Sequence, residues 1–165
     1  MKPIDADEYF DLIMKGFSHL DPGETDEMTY FMEDIFKLRW LTRVRFNTFV
    51  TLAEELDMAS FQRFRMVCLQ ITSKGRSKMG EPSVCNAVAI CEGVAPEVVE
   101  YAQKRPAKHA NMSEYPVIID LKGGEAHYYT GPILYGILYA QFEREYIESH
   151  FALPLRALKE RKATP

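Results

Sequence analysis

The sequence predicts an α+β domain: a helical N-terminal part of two to three helices, then a small mixed β-β-α-β-β sheet packed on a tyrosine-rich C-terminal helix. Three observations predict it. Apolar residues recur at spacings of three and four through the first third of the chain, β-rich runs flank Gly123-Gly124, and Tyr135, Tyr139, Phe142 and Tyr146 form a late stripe. With 165 residues and 47% hydrophobic content, the chain can build one core and reads as a single domain over 1–165.

Asp5 suits the cap of a first helix. Asp7 and Glu8 fit its N-terminal dipole, Phe10, Ile13, Met14, Phe17 and Leu20 give its apolar side, and Asp21-Pro22-Gly23 ends it. Met28, Phe31, Ile35, Leu38 and Leu41, then Phe49, Leu52 and Leu56, continue the helical spacing. They predict one long helix or two in succession over about 25–57. Val44, Phe46, Thr48 and Val50 also alternate, so the period there is ambiguous, with a break near 39–45. Val67, Leu69 and Ile71 alternate with Met66, Cys68 and Gln70, which fits a buried strand over 64–72. A helix over 60–74 capped by Gly75 competes with it.

Val84 to Cys91 reads as a second buried strand. Pro96 suits the first position of the next helix, where a missing N–H costs nothing, and that helix ends by Pro106. Tyr115 to Thr130 reads as a hairpin. A two-residue loop at Gly123 and Gly124 places Lys122 opposite Glu125, Asp120 opposite His127 and Ile119 opposite Tyr128. Val117, Ile119, Leu121, Ala126 and Tyr128 then share the core face. Thr130-Gly131-Pro132 opens a helix reaching about His150, and Leu153 begins a short last one. The passage from Val84 to Leu121 predicts a right-handed parallel crossover.

A net charge of −4 argues against a surface built wholly for nucleic acid. Lys37, Arg39, Arg43, Arg45, Arg63 and Arg65 are interleaved with aromatics, but helical spacing sends most of those aromatics to the core, so a nucleic-acid site is not expected. The acidic N-terminus and three cysteines without CxxC spacing point to a reducing cytoplasm. The longest apolar run falls short of the roughly 20 residues of a membrane span. Cys68, Cys85 and Cys91 read as small core residues, and no spacing identifies a metal or cofactor.

Topology supplies the main site expectation. Lys74, Arg76, Lys78, Lys104, Arg105, Lys108 and His109 should share one end of the sheet with Gly131 at a helix N-terminus, a setting that favours an anionic ligand bearing phosphate or carboxylate. Gly75 and Gly80 lack the Walker spacing. The sequence therefore predicts a non-catalytic binding or regulatory domain. One alternative is a small enzyme using Asp120 and His127 for acid–base or metal chemistry. A second is a protein-interaction or homodimerisation module, should a wide helical surface remain apolar.

Overall fold

The computed structural model describes residues 3–25, 28–37, 42–74, 82–109, 112–131 and 137–163. Asp5 caps α1 (Ala6–Gly16) as expected, its carboxylate accepting the Glu8 N–H at 3.0 Å. The buried stripe is Tyr9, Ile13 and Phe17, with Phe10 and Met14 on its flanks.

The helix expected over 25–57 does not form. After β1 (Gly23–Thr25) come β2 (Met28–Lys37) and β3 (Thr42–Leu56), an antiparallel pair in register from Thr29↔Val50 to Lys37↔Thr42. The physical reason is burial on both faces. Val44, Phe46 and Val50 enter one core while Phe49 enters another, so the apolar residues follow no single face and only mimic helical spacing. The alternation from Val44 to Val50 was the informative signal.

The strand expected over 64–72 does not form, and the competing helix over 60–74 does. That segment lies within α2 (Met58–Lys74), which buries Phe61, Cys68, Leu69 and Thr72 along one stripe. Met66 and Val67 are 48% and 38% exposed, and these two outward apolar residues produced the false alternation. Asp57 starts the helix by accepting the Ser60 N–H at 2.7 Å.

β4 (Ser83–Val94) is buried over most of its length, and α3 (Pro96–Gln103) begins with proline as the sequence predicts. β5 (Lys108–His109), β6 (Met112–Asp120) and β7 (Glu125–His127) complete the sheet. Among the described residues seven strands form one mixed sheet in the order β1-β2-β3-β4-β6-β5, with β7 also on β6. β3, β4 and β6 are mutually parallel, as the expected crossover requires.

Two crossovers running the same way along a sheet place their helices on one face. Accordingly α2 and α3 pack together beneath Ala89, Cys91 and Ile118. The opposite face holds the larger core, where α1 meets α4 (Ile137–Ile147) and α5 (Leu153–Ala163) over Phe46, Val88, Val117 and Ile119. The predicted start of the tyrosine-rich helix falls on 132–136, outside the described residues. Its Tyr146 and Ile147 are buried as expected.

Between α4 and α5, Glu148–Ala152 forms a π-helical turn in which the Leu153 N–H reaches the Glu148 carbonyl. Pro154, lacking an N–H, cannot serve the His150 carbonyl four residues back, which accounts for a widened turn at this point. The buried Tyr9 hydroxyl donates to the Phe151 carbonyl at 2.8 Å, fastening α1 to that turn.

The β6–β7 hairpin keeps its predicted core face but not its predicted register. Asp120 pairs with Glu125, Ile119 with Ala126 and Ile118 with His127, so the loop is Leu121–Gly124 rather than Gly123-Gly124. Leu121 is drawn inward: it is buried, and its N–H donates to the Cys91 carbonyl at 2.9 Å. Gly124 takes φ +63°, where an L side chain is strained, and Lys159 from α5 donates to the Gly123 and Gly124 carbonyls at 3.1 and 3.2 Å.

Candidate functional site

Register decides which predicted site residues meet. Arg45 lies beside Ser83 on β4, and Ser83 beside Met112 on β6, so the chain enters all three parallel strands at one end of the sheet. Lys74, the last residue of α2, therefore shares that end with Lys104 and Arg105 after α3 and with Lys108 on β5; all four are exposed. Exposed Arg43 joins them from β3, a contributor that the helical reading of 25–57 concealed. Arg76 and Lys78 lie outside the described residues. His109 is placed on β5 by its backbone alone. Gly131 is half-buried, and its carbonyl accepts from Arg144 at 2.8 Å.

The same end holds the C-termini of α2 and α3, and cations there complement the partial negative charge of a helix end. Lys104 also pairs with Glu100 one turn back at 3.0 Å, both groups being well exposed. Arg45 is bound to Asp34 by two hydrogen bonds of 2.7 and 2.9 Å. That contact holds the Asp34 carboxyl below the usual carboxylate range, chiefly through the hydrogen bond. Arg43, Arg105 and Lys108 remain as solvent-facing charges. The opposite end, where the parallel strands finish and α2 and α3 begin, carries exposed Glu54, Glu55, Asp57, Glu92 and Glu97. Exposed Arg63 and Lys122 lie at that end too, where the acids outnumber them.

Asp120 and His127 are not directly opposed, which corrects the predicted pairing. His127 faces Ile118 and is only the diagonal neighbour of Asp120. The Asp120 carboxylate instead accepts the Gly123 N–H at 2.9 Å and closes the turn. Among the described residues no cluster of three or more His, Cys, Asp or Glu is arranged to hold a metal ion. Cys68, Cys85 and Cys91 are buried free thiols, as expected for core residues. Burial pushes Cys85 and Cys91 up to about 12 and raises Cys68 further. A thiol-specific disulfide reagent should therefore leave all three unmodified in the native protein and label all three in denaturant. Rapid native labelling of any of them would contradict this packing.

Two buried polar groups escaped the sequence reading. Glu114 on β6 and Arg65 on α2 form a bidentate ion pair, one bond of which measures 2.9 Å, with side-chain exposures of 1% and 13%. Arg65 also donates to Gln62 at 2.7 Å and lies 5.3 Å from the centre of the Tyr101 ring. On the other face Thr48, Asn86 and Tyr115 form a row across β3, β4 and β6, and the Tyr146 hydroxyl lies 3.1 Å from that of Thr48. Glu143, one turn before Tyr146 on α4, is 2% exposed, and its Oε2 has no hydrogen-bond partner among the described residues. Burial raises its carboxyl well above the ordinary range. Tyr115 on β6 lies within the electrostatic reach of Glu143, Arg144 and Tyr129, and Tyr146 within that of Glu143 and of Glu33 on β2.

Among the described residues no helix is long and apolar enough to cross a membrane. No known protein family matches the chain, and comparison with curated proteins finds no similar sequence.

Proposed function

We propose that this protein is a non-catalytic binding module whose ligand is an anion bearing phosphate or carboxylate, held at the cationic end of the sheet. One observation carries the reading: the registers of β3, β4 and β6 bring Arg43, Lys74, Arg105 and Lys108 from four chain segments to the same end. Three of the features that would otherwise suggest catalysis have packing roles. Asp120 closes a turn, Glu114 and Arg65 neutralise each other, and the thiols are buried.

Inorganic phosphate and citrate, titrated calorimetrically at low and at physiological salt, test the reading. Binding should weaken as salt rises, because exposed charges are screened over about 8 Å at physiological ionic strength. Replacing Arg105 and Lys108 together with alanine should weaken binding about tenfold and leave Tm nearly unchanged, since solvated charges contribute little to folding. Equal affinity of the double variant for both anions would remove the cationic end as the site.

A further inference from the structure

β3 is longer than its neighbour on one side. β4 flanks it from Arg45 to Leu56, whereas the pairing with β2 stops at Val50. Over 52–56, therefore, β3 has a strand neighbour on the β4 side only, among the described residues. Beside this open edge lies a cleft of about 690 Å³. Phe10 of α1 and Leu52 form its apolar wall on one side of the sheet, and Phe64 and Arg63 of α2 line the other together with Met28. Leu52 is 44% exposed into this space.

An open edge presents backbone donors and acceptors to any extended chain that can lie alongside it. We propose that residues 52–56 of β3 are a docking edge for an extended basic peptide from another protein, which adds as a strand where β2 does not reach. Charge selects this occupant. Glu24 lines the cleft, Glu54 is exposed on β3 beside it, Glu55 is exposed with its carboxylate over Gly93 of β4, and exposed Asp57 follows β3. The one cation of the lining among the described residues, Arg63, donates to Ser60 at 2.9 Å and lies within the electrostatic reach of Asp57. A second copy pairing antiparallel through the same edge would bring its own Glu54 and Glu55 against these, so like charges oppose self-pairing. A strand of alternating lysine and apolar residues satisfies both requirements. Main-chain bonds would provide its affinity and the two walls of the cleft would read its alternate side chains.

The probe is a labelled peptide alternating lysine and valine, compared with one alternating glutamate and valine, in fluorescence anisotropy titrations on the full chain. The lysine peptide should bind saturably and the glutamate peptide at least tenfold more weakly. Glu54→Lys/Glu55→Lys should weaken the lysine peptide about tenfold, with melting followed by circular dichroism to establish that the variant is folded. Amide exchange read by NMR should show new protection within 52–56 when the lysine peptide is added. Protection elsewhere, equal binding of the two peptides, or protection of 52–56 by self-association without peptide would each overturn the proposal. This edge lies at the acidic end, so loss of anion binding in the Arg105/Lys108 variant leaves its outcome unchanged.

Discussion

Glu114→Ala is expected to destabilise the protein by about 3 kcal/mol, the lower part of the range for removing one partner of a buried ion pair. For a chain of this size that corresponds to a fall in Tm of roughly 6–12 °C. The cause is the charge left behind. Arg65 of α2 has its side chain only 13% exposed, and without Glu114 its guanidinium keeps, among the described residues, the Gln62 amide oxygen and the face of Tyr101. The lower part of the range applies because Arg65 can reach some water, whereas Glu114 cannot. Replacing both residues with methionine should restore most of the loss, since two apolar side chains leave no desolvated charge. Urea denaturation of the two variants measures both quantities. A loss under about 1 kcal/mol for the single variant would mean that the pair behaves as a surface contact.

Glu143→Gln should change the pH dependence of stability. Burial raises this carboxyl above its unfolded value of 4.5, so the folded state holds the proton more tightly than the unfolded chain. The resulting stabilisation is fully present below the unfolded value and is lost as pH rises through the folded one. The slope of unfolding free energy against pH approaches about 1.4 kcal/mol per unit, the limit for one proton. Glutamine cannot ionise, so the variant should show a flatter profile and exceed the parent in stability toward the alkaline side. Urea melts of both proteins between about pH 5 and pH 8 read this directly. Parallel profiles would show that Glu143 ionises in the folded protein as readily as in the unfolded chain.

The sequence exposed those elements that carry a local chemical mark. Asp5 announced α1, Pro96 announced α3, and the apolar run from Val84 announced β4. It concealed β3 because a strand covered on both faces has no polar side to set its period, it concealed β2 because Met32 and Phe36 put apolar residues on an exposed face, and it left α2 competing with a strand because Met66 and Val67 face solvent. The hairpin was read with the right faces and the wrong partners. Its register differs by two residues, and an even slip leaves every side chain on its own side of the sheet while separating Asp120 from His127. That Lys104, Arg105 and Lys108 lie at one end of the sheet was legible because the parallel crossover from β4 to β6 was read from the sequence. Lys74 reaches that end as the last residue of α2, which the sequence presented first as a strand. Glu143 was not legible, since a carboxylate within a helix reads as solvent-facing. Its place three residues before Tyr146 on the aromatic stripe was the available clue.

The division of charge between the two ends of the strands also governs how this molecule meets others. Among the described residues, exposed Arg43, Lys74, Arg105 and Lys108 lie at one end of β3, β4 and β6, and at the other the acids Glu54, Glu55, Asp57, Glu92 and Glu97 outnumber the exposed cations Arg63 and Lys122, so the field is uneven along the strands. In the field of a charged partner such a body turns before it touches, presenting one end to a polyanion and the other to a polycation. The benefit falls on the rate of productive encounter rather than on the lifetime of the complex, and added salt slows association with either kind of partner while leaving dissociation nearly untouched.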